Sequence, residues 1–273
     1  MIYLVCDSTA CLSHQEARGL QAIQVPMHYL YRGQSFEEGY TELGDAPHLV
    51  PGAQPGEYST AQASVAQFAE VFTRLTQKGH QALCVCISSR LSGTYHNASS
   101  AAQQLGSDNV VVVDSRSTAG GLYLLLRRAR AMLDAGHCLQ DTAAALKQLR
   151  PRQHTLFTTE DMGPLRRSGR LGMVRLSVSA FLNLRPVLRL WEGSVVSHAT
   201  ARGRSQQYGE LLGQIIRPEG PLVVQHCQDP EGADILVNRL RQQGHHVLLR
   251  PLGTVLAIHL GIPCLSVAWV EEA

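Results

Sequence analysis

The strongest constraint on the fold is a series of short apolar runs that alternate with helical stretches through the first half of the chain. Ile2 to Cys6, Val25 to Tyr31, Ala82 to Ile87 and Val110 to Val113 are rich in Val, Ile and Cys. Runs this short, apolar on both faces, suit strands buried inside a parallel sheet. Between and after them the spacing predicts helices over Ser64 to Gln77, Gly93 to Leu105, Ala119 to Ala135 and Leu139 to Leu149. Gly79, Gly106 and Gly136 stand just past three of these, where a helix commonly stops. Strand and helix in alternation predict an α/β architecture with right-handed crossovers.

Pro151 marks a boundary, and the chain is expected to form two domains, 1–152 and 153–273. Beyond it come an extended stretch at Leu156 to Thr158, an Arg- and Gly-rich segment from Gly163 to Gly172, and strands at Val187 to Leu190 and Val195 to His198 joined through Glu192-Gly193 as a hairpin. A helix over Ser205 to Ile216, a strand at Leu222 to His226, a helix over Gly232 to Gln242 and strands at His246 to Leu249 and Cys264 to Val270 complete an α+β half. The Gly-, Pro- and acid-rich stretch between Phe36 and Tyr58 reads as a long loop or lid.

Charge and composition remove several functions. Lys+Arg 24 against Asp+Glu 22 is no surplus for holding a nucleic-acid backbone, and 5% aromatic residues leave few rings for base stacking. The apolar run at the start has no basic leader, and no run is long enough to span a bilayer, so the protein is expected in the cytoplasm. The seven cysteines form no CxxC pair and no zinc spacing with histidine, and read as reduced core residues. No cofactor or metal is expected, and neither a phosphate loop, a dinucleotide fingerprint nor a hydrolase elbow occurs.

Three strand ends carry the chemistry: Asp7-Ser8-Thr9, Ser88-Ser89-Arg90-Leu91-Ser92-Gly93-Thr94 and Asp114-Ser115-Arg116-Ser117-Thr118. In an open parallel sheet all three leave from the carboxyl edge, where ligands bind. Singly they read as helix caps, but together they form a cluster of donors suited to a small anion such as a carboxylate or phosphate.

At these residues the chain resembles the DegV family. The resemblance is carried by Cys6-Asp7-Ser8-Thr9, Ser59-Thr60-Ala61-Gln62-Ala63-Ser64, Ser88 to Tyr95, Val113-Asp114-Ser115, Ser168-Gly169-Arg170-Leu171, Leu182-Asn183-Leu184-Arg185-Pro186, Arg202-Gly203 and Gly253 with His259-Leu260-Gly261, in the family's order along essentially the whole chain. It implies a Rossmann-like domain and a second α/β domain with an acyl chain in a tunnel between them. It further implies a long-chain fatty acid as ligand and a separate ATP-dependent kinase subunit that phosphorylates the bound carboxylate for phospholipid synthesis, so that this chain is not itself an enzyme. By the same resemblance Thr60 and Ser92 hydrogen-bond the carboxylate with His259 in support, while Arg170 and Arg202 fall near the head group or the kinase-facing surface. Ala61 and Ala63 replace a serine and a proline of the family pattern, and Ile262-Pro263 replaces its Pro-Gly.

Read without the resemblance, Thr60 is part of a loop that caps the following helix, His259 is a core histidine, and Arg166, Arg167 and Arg170 form a solvated basic cluster. An acyl hydrolase or transferase with Ser92 as nucleophile and His259 as base is the alternative, and a small-anion regulatory module a third. A buried chain of roughly fifteen methylenes offers on the order of 12 kcal/mol. Each neutral donor to the carboxylate adds about 1.5–3 kcal/mol, so the tail should dominate affinity and the hydroxyls should fix direction.

Overall fold

The computed structural model describes residues 1–42, 49, 56–160, 162–171 and 184–273. Most of the expected loop between Phe36 and Tyr58, and Gly172, Leu182 and Asn183 of the quoted segments, lie outside the described residues.

The first half builds β1 (Ile2–Asp7), α1 (His14–Leu20), β2 (Ala22–Val25), β3 (His28–Tyr31), β4 (Gln34–Glu37), β5 (Tyr58–Ala61), α2 (Val65–Gln77), β6 (Gln81–Cys86), α3 (Thr94–Leu105), β7 (Val110–Asp114), α4 (Ala119–Asp134) and α5 (Leu139–Leu149). Strands β2-β1-β6-β7 form a parallel sheet in that order. The strand order reverses between β1 and β6, so the loops after β1, β6 and β7 share the carboxyl edge and flank the switch point. The run Val25 to Tyr31 is not one strand. Pro26, which has no N–H to give a ladder, separates β2 from β3, and β3 joins β4 and β5 in a small antiparallel sheet.

The second half contains β8 (Gln153–Thr159), α6 (Gly163–Ser168), β9 (Leu184–Trp191), β10 (Ser194–Arg202), α7 (Gly203–Gly213), β11 (Leu222–Cys227), α8 (Pro230–Gln242), β12 (Val247–Pro251), α9 (Thr254–Leu260) and β13 (Cys264–Val270). Its mixed sheet runs β10-β9-β8-β13-β11-β12, with a parallel β11–β12 pair among antiparallel neighbours. The fold is thus mixed α/β with a Rossmann-like parallel sheet and a separate mixed sheet.

Helix α4 lies between the two sheets. It packs on β1 and β6 from one side and on β8, β11 and β13 from the other, so Leu122, Leu125 and Leu126 share one core with Leu4, Leu83, Val223 and Ala268. Helices α2 and α3 cover the opposite face of the parallel sheet through Phe68, Phe72 and Ala98. Helices α7 and α8 cover the outer face of the mixed sheet through Leu211 and Leu236. Six of the seven cysteines are buried and all are free; Cys138 departs from the core expectation, being exposed at the start of α5, where its thiol accepts from the Asp141 amide.

The β9–β10 turn is the hairpin expected at Glu192-Gly193. Both residues have positive φ, 48° and 83°, the combination of a tight two-residue turn whose twist matches its strands. Its backbone is held by the first half: the Ser88 hydroxyl donates to the Gly193 carbonyl at 2.8 Å and Arg116 to the Glu192 carbonyl at 3.3 Å.

Candidate functional site

A cavity of about 310 Å³ lies between the two sheets at the carboxyl edge of the parallel one. Its walls are mainly apolar, with Leu91, Phe157, Leu165, Leu190, Val195 and Leu252 contributed by both halves of the chain. Such a volume, lined by hydrocarbon with a few polar groups, is the usual form of a small-ligand site.

Four of the five residues singled out in the sequence line this cavity: Thr60, Ser92, Arg170 and His259. Arg202 does not; it is exposed, and its backbone N–H donates to Gln206 at 2.7 Å ahead of α7. Thr60 stands on β5 and not in a capping loop, for β5 pairs with β3 and places Thr60 opposite Tyr29. Ser64 does the capping, in a reciprocal pair with Gln67.

His259 sits in the last turn of α9, 199 residues along the chain from Thr60, and its Nε2 is 2.7 Å from the Thr60 hydroxyl. Burial, with the Arg170 charge adding to it, holds the imidazole down at about 4. His259 is therefore neutral at neutral pH, with one ring nitrogen a donor and the other an acceptor. Arg170 follows α6 and is half-buried; its guanidinium donates to the carbonyls of Leu91 at 3.3 Å and of Ser168. The Ser92 hydroxyl, ahead of α3, is 2.9 Å from that of Thr94 and accepts from the Thr94 amide at 3.3 Å. Gln62 also lines the cavity, and its side chain lies across Gly93 so closely that a Cβ there would collide with the amide.

The donor cluster proves narrower than the strand-end loops implied. The Ser8 hydroxyl donates to Glu38, Thr9 to Asp7 at 2.5 Å, Ser89 to Asp114 at 2.6 Å and Ser115 to the Ser117 carbonyl, so these groups hold the loops together. Of the three loops, Ser92 and Thr118 supply the hydroxyl-bearing residues that reach the cavity wall. Sequence reasoning missed Thr155 and Ser266 on the wall, whereas Thr118 belongs to the third of the loops it singled out; the buried hydroxyls of Thr118 and Thr155 find no hydrogen-bond partner among the described residues. The two missed residues stand on β8 and β13, where alternation along a mixed sheet leaves a polar residue facing inward.

Among the described residues, no group of three His, Cys, Asp or Glu is placed to hold a metal ion, and no helix is long and apolar enough to cross a membrane. The geometry gives a greasy slot with neutral donors and one half-buried guanidinium on its wall. That set is suited to an amphipathic anion with a long apolar part.

Comparison with known proteins agrees on the fold. A DegV domain-containing protein of Deinococcus radiodurans is 31% identical over 218 residues, covering 79% of this chain and 76% of the relative. The solved structure of a fatty-acid-binding DegV family protein from Thermus thermophilus superposes with a TM-score of 0.90 at 27% identity, covering 99% of each chain. A DegV lipid-binding protein from Thermotoga maritima shares the fold at 21% identity, with a TM-score of 0.83 over 100% of this chain and 99% of that one. The model of an uncharacterised protein family, DegV, matches residues 1–272, and the chain belongs to that family.

Proposed function

We propose that the protein binds a long-chain fatty acid, its acyl chain in the cavity between the sheets and its carboxylate at Thr60, Ser92 and His259. The observation that carries this reading is the hydrogen-bonded Thr60–His259 pair on the wall of an otherwise apolar cavity, together with the fatty-acid binding of the Thermus relative. With its proton on Nε2, neutral His259 donates to the Thr60 oxygen. The Thr60 hydroxyl hydrogen is then free to point at a carboxylate oxygen. The Ser92 hydroxyl supplies a second donor, and Arg170 a nearby positive charge. In this reading residues 1–152 form the domain that carries the head-group loops and residues 153–273 the domain that covers the tail.

The same reading extends to a partner. The carboxylate is presented to a separate ATP-dependent kinase subunit, which converts it to an acyl phosphate, and this chain needs no cofactor of its own. The hydrolase alternative has less support: the described hydrogen bonds pair His259 with Thr60 and Ser92 with Thr94, and none joins Ser92 to His259.

Organic extraction of the purified protein followed by mass spectrometry tests the ligand. Near-stoichiometric release of a long-chain fatty acid is expected. A protein that releases none, and takes up none when offered palmitate, refutes the assignment.

A further inference from the structure

Glu38 is a buried carboxylate in a stretch of exposed residues. It follows β4, whose residues all face solvent, yet it is only 5% exposed. Its Oε2 accepts from the Ser8 hydroxyl at 2.7 Å, and its Oε1 accepts from the Val255 amide in the first turn of α9 at 2.8 Å. The Glu38 amide donates to the Met27 carbonyl at 2.8 Å, and the Met27 amide donates back to the Ser8 hydroxyl at 3.1 Å. Gly253, just ahead of α9, leaves room for this approach, since a Cβ there would stand 2.6 Å from Oε1. One carboxylate thus ties together the loop after β1, the small sheet that carries Thr60, and the helix that carries His259.

We propose that Glu38 is a positioning residue: by holding the start of α9 against the small sheet, its carboxylate sets the register of the Thr60–His259 pair that grips the ligand's head group. The charged and titratable groups around it are few. Asp7 faces it from the end of β1, Cys11 from the following loop and Tyr29 from β3. Arg250 on β12 faces Cys11, but its guanidinium is engaged by Glu16 at 2.6 Å. No described salt bridge reaches Glu38. Burial pushes its carboxyl up to about 7, against the pull of hydrogen bonds from the Ser8 hydroxyl and from the Val255 and Thr254 amides, with Asp7 pushing the same way as burial. Above that value the Glu38 carboxylate accepts from all of these donors; below it, one oxygen becomes a donor and an acceptor is lost. The grip should therefore be tighter on the alkaline side. His259 itself titrates near 4, outside the window in which Glu38 changes state.

The ligand-dependent half of this inference rests on the fatty-acid reading; the structural half does not. Ring nitrogen NMR signals of His259 in ligand-free protein, followed between about pH 5.5 and 8.5, should show a step near neutrality that reports the change at Glu38. Glu38→Gln should abolish the step. Ser8→Ala, which removes a donor to the carboxylate, should move its midpoint upward, and it carries the test if Glu38→Gln fails to fold. In parallel, palmitate affinity should fall about two- to ten-fold from pH 8 to pH 6 in the natural protein, the worth of one hydrogen bond, and should be flat in Glu38→Gln. A step that persists in Glu38→Gln, or is absent from the natural protein, overturns the proposal. A protein that binds no palmitate at either pH refutes the ligand reading instead and leaves the NMR series to decide this one.

Discussion

Replacing Thr60 by valine isolates the head-group contact from the rest of the site. Valine keeps the branched shape on β5, so the pairing with Tyr29 and the cavity volume are retained while the hydroxyl is lost. Two consequences follow from the 2.7 Å Thr60–His259 contact. In the proposed reading the carboxylate loses one donor, and in any case the His259 Nε2 loses its partner. A hydrogen bond to a charged group is worth about 1.5–3 kcal/mol net, which is a factor of about 10 to 150 in affinity. The tail is untouched, for its worth, about 0.8 kcal/mol per methylene, arises at the apolar walls. The loss should therefore be the same factor for myristate, palmitate and stearate. Displacement of a fluorescent fatty acid across that series measures it. A loss under two-fold would show that Thr60 does not touch the head group, and a loss that grows with chain length would place Thr60 beside the tail.

His259 gives a pH prediction whose sign is fixed by burial. Its imidazole titrates near 4 in the folded protein against about 6.5 unfolded, so between those values the unfolded chain binds the extra proton and stability rises with pH, levelling above about 6.5. The full difference is worth about 3 kcal/mol; His259→Gln lacks this slope, and urea unfolding of both proteins at pH 4.5 and 7 should show the gap between them shift by that order. At the hairpin, Gly193→Ala should destabilise by about 1–3 kcal/mol, since residue 193 has φ of 83° and a Cβ would strike the Ser88 hydroxyl. A thermal midpoint unchanged by that substitution would mean the turn is not pinned to the first half.

Elements bounded by strong local signals were legible. The limits of α5 and β13 coincide with the apolar pattern, and the β9–β10 hairpin follows from Glu192-Gly193. The small sheet was not legible, because β4 is Gln-Ser-Phe-Glu with every residue exposed and β5 is the polar Tyr-Ser-Thr-Ala. Strands like these are made by pairing, and β5 pairs with a strand 27 residues or more away. Helix α9, seven residues between Gly253 and Gly261, is too short for periodicity to declare itself. The candidate residues were named through family resemblance; no spacing in the chain announces that positions 60 and 259 touch. Glu38 had no signal at all, since it follows an exposed Glu37 and only the tertiary fold separates the two.

The chemistry of the cavity follows from this dispersal. Thr60 is held by the small sheet, Ser92 by the loop before α3, Arg170 by the turn after α6 and His259 by α9, so no single element contains the site. The site exists only where the halves meet, at the hairpin pinned by Ser88 and Arg116 and at the α9 start pinned by Glu38. A neutral His259 suits such a place. A protonated imidazole would bury a second positive charge beside Arg170, whereas the neutral ring leaves that guanidinium as the charge on the wall among neutral donors. In the proposed reading, affinity comes from the length of the tail, while the head group is gripped by hydrogen bonds that a small movement of α9 would loosen.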